Sequence, residues 1–598
     1  MAPTLSPVAG LPFVYRFEDC CNVYVVQEGS RALLIDLGAG GVLDALPSLG
    51  IERIDAVYFT HAHRDQCQGA LTRADRLAGV PLHFPRRARP FVDPAARSDL
   101  TPPSPLVGRY PGRFDPPRPI VGAQYDLRPP ATIPWGGFDL EIVALPGHID
   151  HQVGYLLDVG EHRLAFCGDA IHSAGKIHEA FHLETDHYTG AGARKAAESL
   201  RTLRQLRPTA LCPAHGPVTL DDPIGALRRT ESLLVAFAEL KDSPFPGLPH
   251  VRRLARIAPD TLSPVSPHLW VWNNSYLLTS DSGAVLMVDC GAPLSDAFWA
   301  QFEAHLRGRR IEVVLVTHPH CDHVDGIESL RESVGGELQV WAHEAIADAI
   351  EDPYRYRRPW LPLAPARVDR RLLEAEVFIW REYTFRALYF PGQTDLHAAY
   401  QVMIDGHHAL FCGDNFYPPQ RWGGYGGLSG LNGGHPIEGW RRSIDLLVQL
   451  EPEWLLAAHL QPFPFRAGDF EVARRWCDEI ARAMATLAPD GCVERHHSPH
   501  AFALEPYAQT VRGAFLVSGR IRNPYRHGIE AVTRLMLPDQ WRATPDTALL
   551  HLAPESEGVV EWSVTPSGPP CAAMLTLDLT YGGTYLGEKA ECYVWYSP

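Results

Sequence analysis

The chain has 598 residues, 45% hydrophobic and 21% charged, with a formal net charge of −16. That length exceeds what one hydrophobic core supports, so several domains are expected. The acidic balance argues against nucleic acid or an anionic membrane surface as a partner, and no apolar run reaches the ~18 residues of a membrane span. The N-terminus lacks a basic start followed by an apolar stretch, so no secretory signal is expected. The 12 cysteines follow no framework spacing and read as reduced thiols of a cytoplasmic protein.

In chain order, residues 23–26, 32–35 and 56–59 read as short strands. The third runs into Thr60-His61, which places His61-Ala-His63-Arg-Asp65-Gln66 in a loop at a strand's C-terminal end. Helical spacing is expected over 69–77, and a Pro-rich insertion fills 85–119. The segment 142–145 and the hairpin 153–166 bracket Pro146-Gly-His148, and Cys167-Gly-Asp169 follows. A helix over 193–206 precedes Ala214-His215, and a helix over 225–240 leads to a linker at 243–249.

The same series then returns. Asn22-Val-Tyr24 leads to Leu34-Ile-Asp36-Leu-Gly38, and Asn274-Ser-Tyr276 leads to Met287-Val-Asp289-Cys-Gly291. A strand at 313–316 opens onto His318-Pro-His320-Cys-Asp322-His323, with a helix over 326–332 and a Pro-rich insertion at 353–365. Pro391-Gly-Gln393 and Cys412-Gly-Asp414 follow, then a glycine-rich loop at 421–435, a helix over 440–450 and Ala458-His459. Asp169 lies 21 residues after His148, and Asp414 lies 21 after Gln393; the last histidine follows by 46 and 45 residues. An internal duplication is the natural reading. It divides the chain into 1–245, 250–488 and, past a second linker at 490–500, 500–598. The last segment reads as strands at 515–517, 519–521, 530–537, 559–564, 574–580 and 592–596, a β-sandwich serving as an accessory packing module.

Two imidazoles one residue apart at a strand end can grip one ion. An adjacent Asp and His can reach a second, and an Asp from a later strand end can bridge both. Such a pair holds a hydroxide and lowers its pKa, making a nucleophile at neutral pH. Nitrogen and carboxylate donors suit zinc foremost, with iron or manganese as alternatives.

The ordered set His-x-His-x-Asp-His, Gly-His, Gly-Asp, final His resembles the metallo-β-lactamase fold superfamily, and within it the glyoxalase-II-like hydrolases. The resemblance covers about 12–480 and implies an α/β fold, an αββα sandwich with the metals at one edge, twice in tandem. The C-terminal segment would be an immunoglobulin-like all-β sandwich. In the first repeat, His61, His63 and His148 match the three-histidine position. Asp65, Asp169 and His215 match the second position, but Gln66 stands where the family has His. In the second repeat, Asp322, His323, Asp414 and His459 match the second position in full. His318 and His320 match two thirds of the first, where Gln393 replaces a His. The halves have thus lost opposite ligands. Gln66, Gln393, His397 and His151 are candidate ligands or supports of ligands. His172, His178 and Glu179 are candidates to face substrate.

The resemblance implies a metal-dependent hydrolase of a small-molecule ester, thioester, lactone, amide or phosphodiester. Metal-bound hydroxide would attack, oriented by Asp65 or Asp322. Rival readings are a di-iron redox enzyme and a degenerate binding or scaffold protein. The repeats are expected to pair within the chain, with no nucleic-acid or membrane partner.

Overall fold

A computed structural model describes residues 5–97, 115–187, 191–245, 260–335, 337–422 and 427–598. The chain forms two compact units, one of residues 1–238 with 483–598 and the other of 239–482. The first linker and both the Pro-rich insertion at 85–119 and the glycine-rich loop fall partly outside the described residues.

In the first repeat a seven-stranded sheet faces a five-stranded one. Side chains alternate along each strand, so one strand serves two cores. From the strand Asn22–Glu28, Tyr24 and Val26 pack against Leu140, Tyr155 and Phe166 of the facing sheet. Val23 and Val25 of the same strand point outward, into a layer with Val42, Leu43 and Ala70 of the covering helices. Burial on both faces is what layers of helix, sheet, sheet and helix require. Strands Arg31–Ile35 and Arg53–Tyr58 pair in parallel, so their C-terminal ends lie side by side. That edge carries Asp36 and the loop from Thr60 onward.

The second repeat repeats this plan with sheets of seven and six strands. Strands Ala284–Val288 and Arg310–Val316 are again parallel and end at Asp289 and Thr317.

The C-terminal segment forms sheets of four and five strands around one core that includes Val517, Ile521, Trp562, Leu577 and Val594. The two strands expected at 515–521 are one, Phe515–Asn523, because Ser518 simply takes the alternate face. This sandwich belongs to the same compact unit as the first repeat.

Two other expectations differ. The helix expected over 69–77 is only the short piece Gly69–Thr72, preceded by another at Arg64–Cys67 and followed by turns. The Thr72 hydroxyl donates to Ala39 O at 2.8 Å instead of leaving the backbone to propagate. The linker expected at 490–500 contains a helix, Val493–His497, with Arg495, His496 and His497 buried. Arg495 is held there by Glu179 at 3.3 Å. Among the described residues no helix is long and apolar enough to cross a membrane.

Candidate metal centres

Each repeat builds its first ligand loop in the same way. Asp36, at a left-handed φ of 56°, accepts from Thr60 N at 2.8 Å and from the Thr60 hydroxyl. That hydroxyl lies 3.1 Å from His61 Nδ1, which leaves His61 Nε2 facing the site. Asp289, Thr317 and His318 make the same chain, with Thr317 N 2.7 Å from Asp289 and the Thr317 hydroxyl 3.0 Å from His318 Nδ1. Asp169 and Asp414, the aspartates expected to bridge, follow Gly168 and Gly413 at the ends of their strands, both glycines at positive φ. A Cβ at Gly413 would come within 2.6 Å of His397 Nε2 and 2.7 Å of the Thr317 hydroxyl. Only glycine fits that corner.

In the first repeat, His61 Nε2, His63 Nδ1 and His148 Nε2 converge, with His63 Nδ1 3.1 Å from His61 and 2.9 Å from His148. Burial holds His61 and His63 well below the ordinary histidine range and takes His148 down to about 3. Three neutral rings carry one N–H each, too few to hydrogen-bond the whole cluster. One ion bound at ~2.0–2.1 Å would instead satisfy all three, at N···N separations of about 3.3 Å. His182 stacks on His63 at 4.3 Å and covers this cage.

Beside the cage the two repeats diverge. In the second repeat, His323 Nδ1 pairs with Asp289 at 2.9 Å, and its buried Nε2 has no hydrogen-bond partner. That nitrogen faces Asp322 at 3.6 Å and Asp414 at 3.7 Å, while His459 Nε2 is 3.3 Å from each carboxylate. Burial opposes charge on His459, yet Asp414 and Asp322 outweigh it and push the ring up to about 10. The carboxylates thus attract a cation, and four donors surround one point. Such a set fits a divalent ion.

In the first repeat Gln66 replaces His323, and its amide donates to Asp169 Oδ2 at 3.3 Å. Asp36 therefore has no ring to accept from, and burial pushes its carboxyl up to about 8 despite Thr60. His215 turns Nδ1 to Asp169 at 2.8 Å and Nε2 to Cys20 O at 3.1 Å. Asp65 accepts from Lys589 Nζ at 2.9 Å, and Lys589 also reaches Glu179 at 3.0 Å. His178 stacks on His215 at 3.6 Å. A cleft of about 410 Å³ opens onto this side, lined by His172, His178, His215, Arg495 and Lys589 among others.

At the second repeat's first position, His318 Nε2 and His320 Nδ1 stand 3.1 Å apart, as in the first repeat. Gln393 fills the third place with its amide 3.3 Å from Asp414 Oδ2 and a buried Oε1 without a partner. Asn432, from the glycine-rich loop, accepts at 3.2 Å from His320 Nε2 and donates to Gln393 O. His151 and His397 each turn Nε2 to a backbone amide of the site loops. His151 Nε2 accepts from Ala62 N at 3.2 Å, and His397 Nε2 from Asp414 N at 3.3 Å. Three contributors escaped the sequence reading: His182, Asn432 and Lys589. Only Asn432, in a loop expected to lie near the metal edge, carried a signal.

The family model of the metallo-beta-lactamase superfamily matches residues 18–215 and 271–459. The chain therefore belongs to that superfamily, through both repeats. Among curated relatives, a hydroxyacylglutathione hydrolase of Aeromonas salmonicida is 27% identical over 154 residues, 26% of this chain and 47% of the relative. The chain thus spans about half the length of that protein. A hydroxyacylglutathione hydrolase of Francisella tularensis is 26% identical over 227 residues, 37% of this chain and 72% of the relative. Similar solved structures include a HARLDQ-motif metallo-beta-lactamase of Cronobacter sakazakii, with TM-score 0.30, 19% identity and coverage of 38% of this chain and 95% of that one. A subclass B3 metallo-beta-lactamase of Bradyrhizobium japonicum has TM-score 0.29 and 18% identity, covering 38% and 95%.

Proposed function

We propose that the protein is a metal-dependent hydrolase of a small-molecule ester, thioester, lactone, amide or phosphodiester, with the second repeat as its hydrolytic centre. The observation that carries this is the convergence of Asp322, His323, Asp414 and His459 around an unpartnered, buried nitrogen of His323. These residues would hold one ion, and His318, His320 and Gln393 would offer a place for another. Zinc is the metal proposed, with iron or manganese compatible with the same donors. Bound there, a divalent ion lowers the pKa of water and polarises the scissile oxygen.

The remaining chemistry belongs to the chain. The Asp322 side chain is 52% exposed, whereas that of Asp65 is 6% exposed and ion-paired to Lys589. Asp322 is thus placed to orient the attacking water and take its proton; Asp65 is engaged elsewhere. Asp289 fixes the tautomer of His323, as carboxylate partners of ligand imidazoles do. Tyr417 OH, 3.1 Å from Asp414 Oδ1, orients that carboxylate. The names of the curated relatives make hydroxyacylglutathione thioesters the first substrates to try.

Two sheets of four and five strands, largely antiparallel and packed on one shared core, support an immunoglobulin-like module. Twelve free thiols support a reducing, cytoplasmic location. The test is a substrate panel read on wild type and Asp322→Asn. A fall in kcat/KM of roughly 10²–10⁴, the contribution of a positioned base, supports the assignment. Equal rates in both would sink it.

A further inference from the structure

Resting on the reading that the three-histidine cage holds an ion, we propose that the first repeat is a one-ion centre in which the C-terminal sandwich supplies the second cation as the Lys589 ammonium. The residues that match the second ion's positions in the family pattern are already engaged there, and His178, whose buried Nε2 has no hydrogen-bond partner, stacks flat on His215 beside them. Asp65 is taken by Lys589 at 2.9 Å, Gln66 by Asp169 at 3.3 Å, and His215 by Asp169 and Cys20 O. His215 divides its contacts between its two ring nitrogens, with Nε2 also 3.6 Å from Asp65, whereas in the second repeat the single His459 Nε2 faces both carboxylates at 3.3 Å.

The sandwich is shaped for this delivery. Lys589 lies on the strand Thr584–Tyr596, where the pairing slips between Thr576 and Leu577. Lys589 opposes Leu577 and Glu591 opposes Thr576, so Ala590 is an extra residue, held at φ 49°. Such a bulge re-aims side chains, and a left-handed alanine is tolerated only where its surroundings demand it. Arg64, between His63 and Asp65, grips the bulge by donating to Ala590 O at 3.0 Å and to Glu591 at 2.7 Å. The ligand loop and the lysine are thereby fixed to one another. A salt bridge that only docked two domains would not need to end on a metal-ligand position, buried, beside a second carboxylate, Glu179.

The experiment is anomalous diffraction at the zinc edge on crystals of the full-length protein soaked in zinc, wild type and Lys589→Met/Gln66→His. Methionine keeps the buried stem without its charge, and the histidine restores the missing donor. The expected result is one zinc peak in the wild-type first repeat, at His61, His63 and His148, and two in the variant. A wild-type peak between Asp65 and His215, with Lys589 displaced, would overturn the proposal while leaving the hydrolase reading intact. A single peak in the variant would also overturn it. An empty cage in both would remove this proposal, and zinc in the second repeat in the same crystals would show the hydrolase reading standing without it.

Discussion

Asp36 and Asp289 hold the same place in their repeats but face different partners. Asp289 accepts from His323 at 2.9 Å; Asp36 has Gln66 nearby and only Thr60 to accept from. Removing the outer partner of a ligand imidazole typically costs 10–100-fold in metal affinity. Asp289→Ala should therefore weaken zinc in the second repeat by about that factor, measured by competition with a chromophoric chelator. An unchanged affinity would mean that the ring is oriented by other contacts. Asp36 has a pH consequence of opposite origin. Its folded carboxyl titrates at about 8, against about 3.9 unfolded. The native state thus binds the extra proton across that window, and stability is fully present below the unfolded value and lost as pH rises through the folded one. In metal-stripped protein, Asp36→Asn should gain thermal stability relative to wild type as pH is raised from about 5 to about 8. A difference that does not vary with pH would show that Asp36 is ionised throughout. The candidate ligands were legible in the sequence, because a strand end must present them within a few consecutive residues. Lys589 was not, because it stands 524 positions from Asp65 and no local pattern links them.

At the scale of elements, the sites depend on where strands stop. The strand His407–Gly413 ends in a left-handed glycine that turns Asp414 inward. Gly413→Ala adds about 1–2 kcal/mol of backbone strain, plus contacts under 3.0 Å with His397 and Thr317. The variant should lose zinc from the second repeat and lower the first thermal transition of the metal-loaded protein. If it retains both, the corner is looser than its geometry implies. Strand positions were readable because central strands of the repeats, such as Ala284–Val288, are apolar throughout and bury both faces, whereas sandwich strands such as Ile529–Met536 alternate buried and exposed residues. Helix extents were less so. The helix after His61 stops at Thr72 through a hydroxyl contact with Ala39 that no periodicity encodes. The segment 490–500 carries linker-like residues, yet it is pinned by an ion pair to Glu179, more than 300 positions away.

At the scale of the molecule, the sandwich and the first repeat form one unit through buried charge. Arg64 is shared by Glu591 and Asp115, and Arg118 binds Glu588 at 2.7 Å. Breaking a buried pair by removing one partner costs about 3–5 kcal/mol. Arg64→Met should lower the melting of the unit containing residues 483–598, read by calorimetry, without moving a transition of 239–482. No shift in either would mean that the Arg64 pairs contribute little to holding the sandwich on the first repeat. The duplication was legible because spacings survive divergence. That the third segment joins the first repeat was not, since the charges that unite them are scattered singly along the chain.

Lys589 also bears on life under metal scarcity. A carboxylate cluster that relies on an ion is left self-repelling when the ion is scavenged, and protons on His459 and His323 must then balance Asp322 and Asp414. A cluster whose counter-charge is covalently part of the chain keeps that balance at any free zinc concentration. If both repeats bind ions as proposed, losing them would leave the first repeat's carboxylates still balanced by Lys589 and those of the second balanced by protons alone.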